Sequence, residues 1–101
     1  MPYLVRLTGR ALRDLEAIYE FIEADTSDRG SAWFNDLAEA ICSLERLPMR
    51  GAVAAENKKL RQLLFGKKPD THRIIYALNK RNHVVSVLHI RHGARDAFKE
   101  G

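Results

Sequence analysis

The residues best suited to chemistry are the cationic side chains of the C-terminal half. Between positions 58 and 95, ten lysines and arginines stand against a single acid, Asp70. Guanidinium and ammonium groups bind phosphate oxygens and stabilise the charge that develops during phosphoryl transfer. On RNA the ribose 2′-hydroxyl can serve as nucleophile, so such a set could act on a phosphodiester without a metal, with histidine as acid or base. The ten cations are Lys58, Lys59, Arg61, Lys67, Lys68, Arg73, Lys80, Arg81, Arg91 and Arg95.

Other chemistries fit the sequence poorly. Histidines at positions 72, 83, 89 and 92 and a single cysteine match no metal-ligand spacing, so we predict neither a metal nor a cofactor. Cys42 lies within an apolar helical pattern, which predicts a buried filler rather than a reactive thiol. The cationic surface could also bind nucleic acid or an acidic protein without catalysis, or be a solvated lysine-rich surface. Composition alone does not separate these alternatives.

The chain is predicted to be one cytoplasmic domain covering residues 1–101. Hydrophobic residues make up 46% of it, the net charge is +4, and there are no repeats or low-complexity linkers. Arg6 interrupts the N-terminus too early for a signal peptide. No stretch approaches the roughly 20 apolar residues of a membrane span. The strongly basic balance points to an acidic partner without naming one.

Periodic patterns predict a strand, two helices and then further strands. Residues 3–7 favour a short strand, and Thr8 offers an N-cap to a helix beginning near Arg10. Apolar residues at helical spacing continue through Ile22, and a second stripe runs from Trp33 to Leu47 after a polar turn. Residues 60–65, 71–78 and 84–91 favour strands, with residues 79–83 as a hairpin loop. We therefore predict an α+β two-layer fold of order β-α-α-β-β-β, in which a helical hairpin covers an antiparallel meander.

The last hairpin determines which side chains share a face. If Leu78 pairs with Val84, Arg73 lies opposite His89, and alternation puts these two with Arg91 on the side away from the helices. That side would also carry an apolar floor for a partner segment. The floor residues are Ile75, Ala77, Val85 and Val87.

Four motifs, taken together and in order, resemble the RelE/ParE toxins of type II toxin–antitoxin modules, also called plasmid stabilisation proteins. The resemblance covers nearly the whole chain. The motifs are Thr8-x-x-Ala11-x-x-Asp14-Leu15-x-x-Ile18-Tyr19-x-x-Ile22, Leu47-Pro48-x-x-Gly51, Arg73-Ile74-Ile75-Tyr76 and Val87-Leu88-His89-Ile90-Arg91-His92-Gly93-x-Arg95-Asp96.

The resemblance implies a RelE-like fold and a growth-inhibiting toxin that a cognate antitoxin neutralises by wrapping the sheet and helical hairpin. RelE-like members cleave mRNA on the ribosome, whereas ParE-like members inhibit DNA gyrase and have no nuclease role. In the RelE-like case, Arg73, Arg91, His92 and Lys59 are the candidate catalytic residues. The candidate target-binding residues are Lys58, Arg61, Lys67, Lys68, His89 and Arg95. The antitoxin would contact Ile75, Val85 and Val87.

The sequence leaves three functions open. Many active RelE-like members carry a tyrosine in the C-terminal tail, where this chain has Phe98, which lacks a hydroxyl group. The His-Gly-x-Arg-Asp ending and the first-helix motif resemble the ParE branch. A third possibility is a non-catalytic, degenerate module that only binds an antitoxin.

Overall fold

The computed structural model describes residues 2–67 and 71–92. Within these ranges the chain forms five strands, two α-helices and one 3₁₀ turn. None of the helices in these ranges is long and apolar enough to cross a membrane. The elements are β1 (Leu4–Leu7), α1 (Gly9–Phe21), α2 (Asp28–Cys42), the 3₁₀ turn (Ser43–Glu45), β2 (Ala52–Ala54), β3 (Asn57–Phe65), β4 (His72–Asn79) and β5 (Val84–His92).

Both helices begin at side-chain caps. The Thr8 hydroxyl accepts a hydrogen bond from the Ala11 amide at 3.2 Å, as the sequence predicted, and the Ser27 hydroxyl accepts one from the Gly30 amide at 3.1 Å. Each cap satisfies an amide that has no partner within its own helix. Gly30 also brings the helices together, because a Cβ placed there would lie 2.5 Å from the Ile22 carbonyl oxygen.

The five strands form one sheet of order β1-β5-β4-β3-β2. β1 pairs parallel to β5, and the other neighbours are antiparallel. The predicted α+β architecture and element order are confirmed, but the sequence reading missed β2. This three-residue strand, Ala-Val-Ala, is too short to show an alternating pattern and depends on β3 for its hydrogen bonds.

The helical hairpin packs on one side of the sheet over the main core. Leu37, Leu44, Ile74 and Tyr76 are fully buried there. A smaller cluster lies on the opposite side, where Ala54 and Leu60 cover Ile75, with Ala77 and Leu88 beside them. We call this second side the open face. Gln62, Arg73 and Arg91 are among the polar residues on this face. Gln62 pairs with Ile75, and Arg73 alternates with the core residue Ile74 and pairs with Arg91.

The predicted register of the last hairpin is wrong. Asn79, rather than Leu78, pairs with Val84, and a bulge between Ile75 and Tyr76 shifts the pairing again. Arg73 therefore lies opposite Arg91, whereas His89 lies opposite Ile75. The cause is a shorter turn with His83 at a positive φ of 57°, together with an extra β5 residue that sequence spacing does not reveal.

Candidate functional site

The Leu47-Pro48-x-x-Gly51 and Arg73-x-x-Tyr76 motifs meet in one hydrogen-bond network. The Tyr76 hydroxyl donates to the Pro48 carbonyl at 2.7 Å and accepts from the Gly51 amide at 3.1 Å. The Arg61 guanidinium donates to the Gly51 carbonyl at 2.7 Å. Burial raises the pKa of the Tyr76 phenol above its ordinary value of 10.0. This network holds the chain that follows the helices against the sheet, so we interpret the motif positions Pro48, Gly51 and Tyr76 as structural.

The first-helix motif covers the exposed edge of β5. β1 pairs with residues 84–87 of β5, so among residues 2–67 and 71–92 the β5 backbone beyond position 87 has no strand partner on that side. The Thr8 hydroxyl donates to the Leu88 carbonyl at 3.1 Å, and the Asp14 carboxylate accepts from the Ile90 amide at 3.0 Å. Ala11 between them is fully buried. Because this motif closes a sheet edge, it does not indicate which target the protein acts on.

Arg73 is held by acceptors of its own chain. Its Nη2 lies 2.8 Å from Oε1 and 2.6 Å from Oε2 of Glu56, and its Nε donates to Oε1 of Gln62 at 2.9 Å. The Arg73 side chain is 15% exposed, and that of Glu56 is 31% exposed. Their hydrogen bond lowers the pKa of the Glu56 carboxyl below 4.5, so it is ionised near neutral pH. The sequence reading missed Glu56, because it lies in a turn 17 residues before Arg73.

Of the other candidate catalytic residues, Arg91 lies beside Arg73, whereas His92 and Lys59 do not. Arg91 pairs with it across the open face, and the Arg91 Nε is buried without a hydrogen-bond partner among the described residues. His92 projects from the opposite side of β5, where its ring packs 5.1 Å from that of His72. By the same alternation, Lys59 lies on the helix side of β3 with Arg61 and Leu63. The four predicted catalytic residues are therefore divided between both faces of the sheet.

The candidate target-binding residues are likewise spread out. Lys58 and Lys67 are exposed near the two ends of β3, and Arg61 is held at the Gly51 carbonyl. Burial and the neighbouring charge of Arg91 lower the pKa of His89 below 6.5, which favours a neutral imidazole. Lys68 and Arg95 lie outside the described residues.

The residues predicted to contact an antitoxin are all inside the protein. Val85 and Val87 are fully buried in the main core beneath the helices, so their prediction on the open face is wrong. The register error explains the difference, since a shift of one residue exchanges the two faces of a strand. Ile75 does lie on the open face, but Ala54 and Leu60 cover it completely. The prediction that Cys42 is buried is also wrong, since Cys42 is exposed.

A cleft of about 590 Å³ opens between the helical hairpin and the end of the sheet. Its walls are mostly apolar, with Ile18 and Phe21 from α1 and Trp33 from α2. The Trp33 ring lies edge-on to His72 at 5.2 Å, and the Phe21 side chain at the rim is 72% exposed. Polar groups at its border are Asp14, Arg29, Arg91, His72 and His92. Apolar walls with a few polar groups are typical of a binding cleft.

Within residues 2–67 and 71–92, no cluster of three histidine, cysteine or acidic side chains could hold a metal ion. The described residues form three features that could bind a partner or target. These are Arg73 neutralised by Glu56 on the open face, Arg91 beside it, and the apolar cleft with its polar border.

Comparison with known proteins defines the class of this domain. Residues 5–97 match the family described as the ParE toxin of type II toxin–antitoxin systems, parDE. The chain belongs to this family and is the toxin of a type II toxin–antitoxin pair. Among curated proteins, no sequence relative is found.

Solved structures of toxin–antitoxin systems share the fold. The chromosomal ParDE system from P. aeruginosa contains a similar chain, with a TM-score of 0.69 and 20% identity, covering 89% of this chain and 95% of that one. RelBE2 from Mycobacterium tuberculosis has a TM-score of 0.65 and 23% identity, covering 91% and 99%. The intact E. coli RelBE complex has a TM-score of 0.60 and 16% identity, covering 92% and 99%.

Proposed function

We propose that this toxin arrests growth by inhibiting DNA gyrase and does not cleave mRNA. The observation that carries the proposal is the separation of the candidate nuclease residues. Arg73 is neutralised by Glu56, while His92 and Lys59 project on the other side of the sheet. Phosphodiester cleavage requires an acid, a base and a charge-stabilising group around one phosphate. Membership of the ParE toxin family supports the same branch.

The test measures both activities of the purified toxin. We expect it to inhibit negative supercoiling of relaxed plasmid by gyrase in the presence of ATP. We expect mRNA in ribosome-programmed translation reactions to remain intact. Expression in cells should arrest growth with a DNA-damage response, and co-expression of the antitoxin encoded beside it should restore growth. Cleaved mRNA together with unaffected supercoiling would overturn the assignment. Tight antitoxin binding without growth arrest would instead indicate a degenerate binding module.

The cleft is the part of the surface best suited to hold the antitoxin. Its exposed Phe21 and its Trp33 wall provide an apolar floor, and Arg29 places positive charge at the border. An amphipathic segment with large apolar side chains and flanking acidic residues complements this arrangement. The open face is less suitable because Ala54 and Leu60 already cover its central residue, Ile75.

A serine substitution at Phe21 tests this docking site with little risk to the fold, since that side chain is 72% exposed. We expect Phe21→Ser to weaken antitoxin binding by about tenfold or more, the effect of losing an apolar anchor that contributes at least about 1.4 kcal/mol. Leu64→Ser is the matched control, because Leu64 is 57% exposed on the open face. If calorimetric titration gave equal antitoxin dissociation constants for the two variants, the cleft would be excluded as the antitoxin-binding site.

A further inference from the structure

We propose that Glu56 is a tethered carboxylate that excludes phosphate from Arg73 and so prevents the open face from binding RNA. This role rests on the proposed function, because it explains why a chain with an arginine suited to phosphate in its sheet would spare mRNA. Glu56 would then determine target specificity without contacting the target.

The first argument is the geometry of the contact. Both oxygens of the Glu56 carboxylate lie within 2.8 Å of the Arg73 Nη2 atom, and Gln62 occupies the Nε donor. Arginine presents the same donors to a carboxylate as to a phosphate, so one oxyanion occupies the position of the other. A phosphate that approaches the edge of the guanidinium formed by Nη2 and Nε must therefore displace Glu56.

The second argument is the charge around the pair. Arg73 and Arg91 are directly opposite each other on neighbouring strands, an arrangement of like charges that is unfavourable unless an anion compensates it. The Arg91 Nε is buried without a hydrogen-bond partner among residues 2–67 and 71–92. Two adjacent arginines would together attract a phosphate. Glu56 neutralises one of these two charges, that of Arg73, and so weakens that attraction.

The third argument is that the contact is not needed to hold its own turn. Glu56 lies between β2 and β3, and this hairpin is fixed by strand pairing, by the Arg61 contact to Gly51 and by burial of Ala54 against Ile75. The Glu56 side chain remains 31% exposed. Because the hairpin has these other supports, a substitution at Glu56 should leave the sheet intact and make the Arg73 guanidinium accessible to a phosphate.

The experiment compares binding of a short fluorescein-labelled single-stranded RNA by fluorescence anisotropy across a range of salt concentrations. We expect Glu56→Ala to tighten binding about tenfold at low salt, the effect of one strong charge-assisted contact. The slope of log K against log salt should steepen by about 0.7 for each phosphate newly bound. Inorganic phosphate should compete more effectively with the variant than with the wild type.

Two controls separate this effect from a change in net charge. Glu45→Ala removes the same charge from an exposed acid in the 3₁₀ turn and should change RNA affinity much less. The double variant Glu56→Ala/Arg73→Ala should lose the gain, because the exposed arginine is then absent. If the alanine variant unfolds, Glu56→Gln retains a neutral acceptor for Arg73 and should show a smaller gain in the same direction.

The outcomes distinguish the two proposals. Equal RNA affinity of the Glu56 and Glu45 variants, or a gain that persists without Arg73, would overturn the role of Glu56. Failure of the wild-type protein to inhibit gyrase would overturn the proposed function, whereas RNA binding by the variant would still establish that Glu56 masks Arg73.

Discussion

Replacing Tyr76 by phenylalanine tests whether the Pro48–Gly51 motif is structural. The substitution removes one hydroxyl and keeps the ring, which is fully buried in the main core. Two hydrogen bonds are lost, one to the Pro48 carbonyl and one from the Gly51 amide. At about 0.5–1.5 kcal/mol for each bond, the expected loss of unfolding free energy is about 1–3 kcal/mol.

The assay is thermal unfolding of the purified toxin followed by circular dichroism. For a domain of this size, a loss of about 1–3 kcal/mol lowers Tm by roughly 5–15 °C. Tyr19→Phe makes the same chemical change at a side chain that is 38% exposed, and its Tm should stay close to that of the wild type. A Tyr76→Phe protein as stable as the wild type would refute the structural interpretation of this network.

The pH dependence provides an independent check on Tyr76. Burial raises the pKa of its phenol in the folded state above 10.0, the value expected in the unfolded chain. As pH rises above 10.0, the unfolded state loses its proton first, so the free energy of unfolding should fall until the folded pKa is reached. Tyr76→Phe should remove this alkaline loss.

Three further results are expected. Arg73→Ala should leave toxicity intact in a growth assay, because Glu56 already neutralises the arginine, and a folded but non-toxic variant would restore the nuclease hypothesis. Gly30→Ala should lower the free energy of unfolding by about 1–3 kcal/mol in urea titration, since its Cβ would meet backbone at 2.5 Å. The control Gly9→Ala has only a flexible side chain nearby and should not destabilise the protein. Because the pKa of His89 is lowered in the folded state, the free energy of unfolding should be highest above pH 6.5 and should decline as the pH falls toward the folded pKa. His89→Asn should abolish this decline.

Local sequence signals were sufficient to predict the helices and the overall class. Thr8 was predicted as a cap from its residue type and position, and the structure places its hydroxyl on the Ala11 amide. The apolar stripes located the helical hairpin, and alternation located β4 and β5. These features depend on contacts between residues close in sequence, so residue type and spacing are informative. The ordered motifs carried the family resemblance for the same reason.

Only the tertiary structure determined which side chains meet in the sheet. The shorter turn placed Val85 and Val87 beneath the helices, and the bulge between Ile75 and Tyr76 brought Arg91 opposite Arg73. No residue pattern fixes such a register, because the shift depends on packing against both neighbouring strands. The partner of Arg73 could not be predicted from the sequence either, since Glu56 contacts it from a turn between two other strands. The sequence by itself therefore determined a basic α+β toxin, and long-range pairing determined that its central arginine is neutralised.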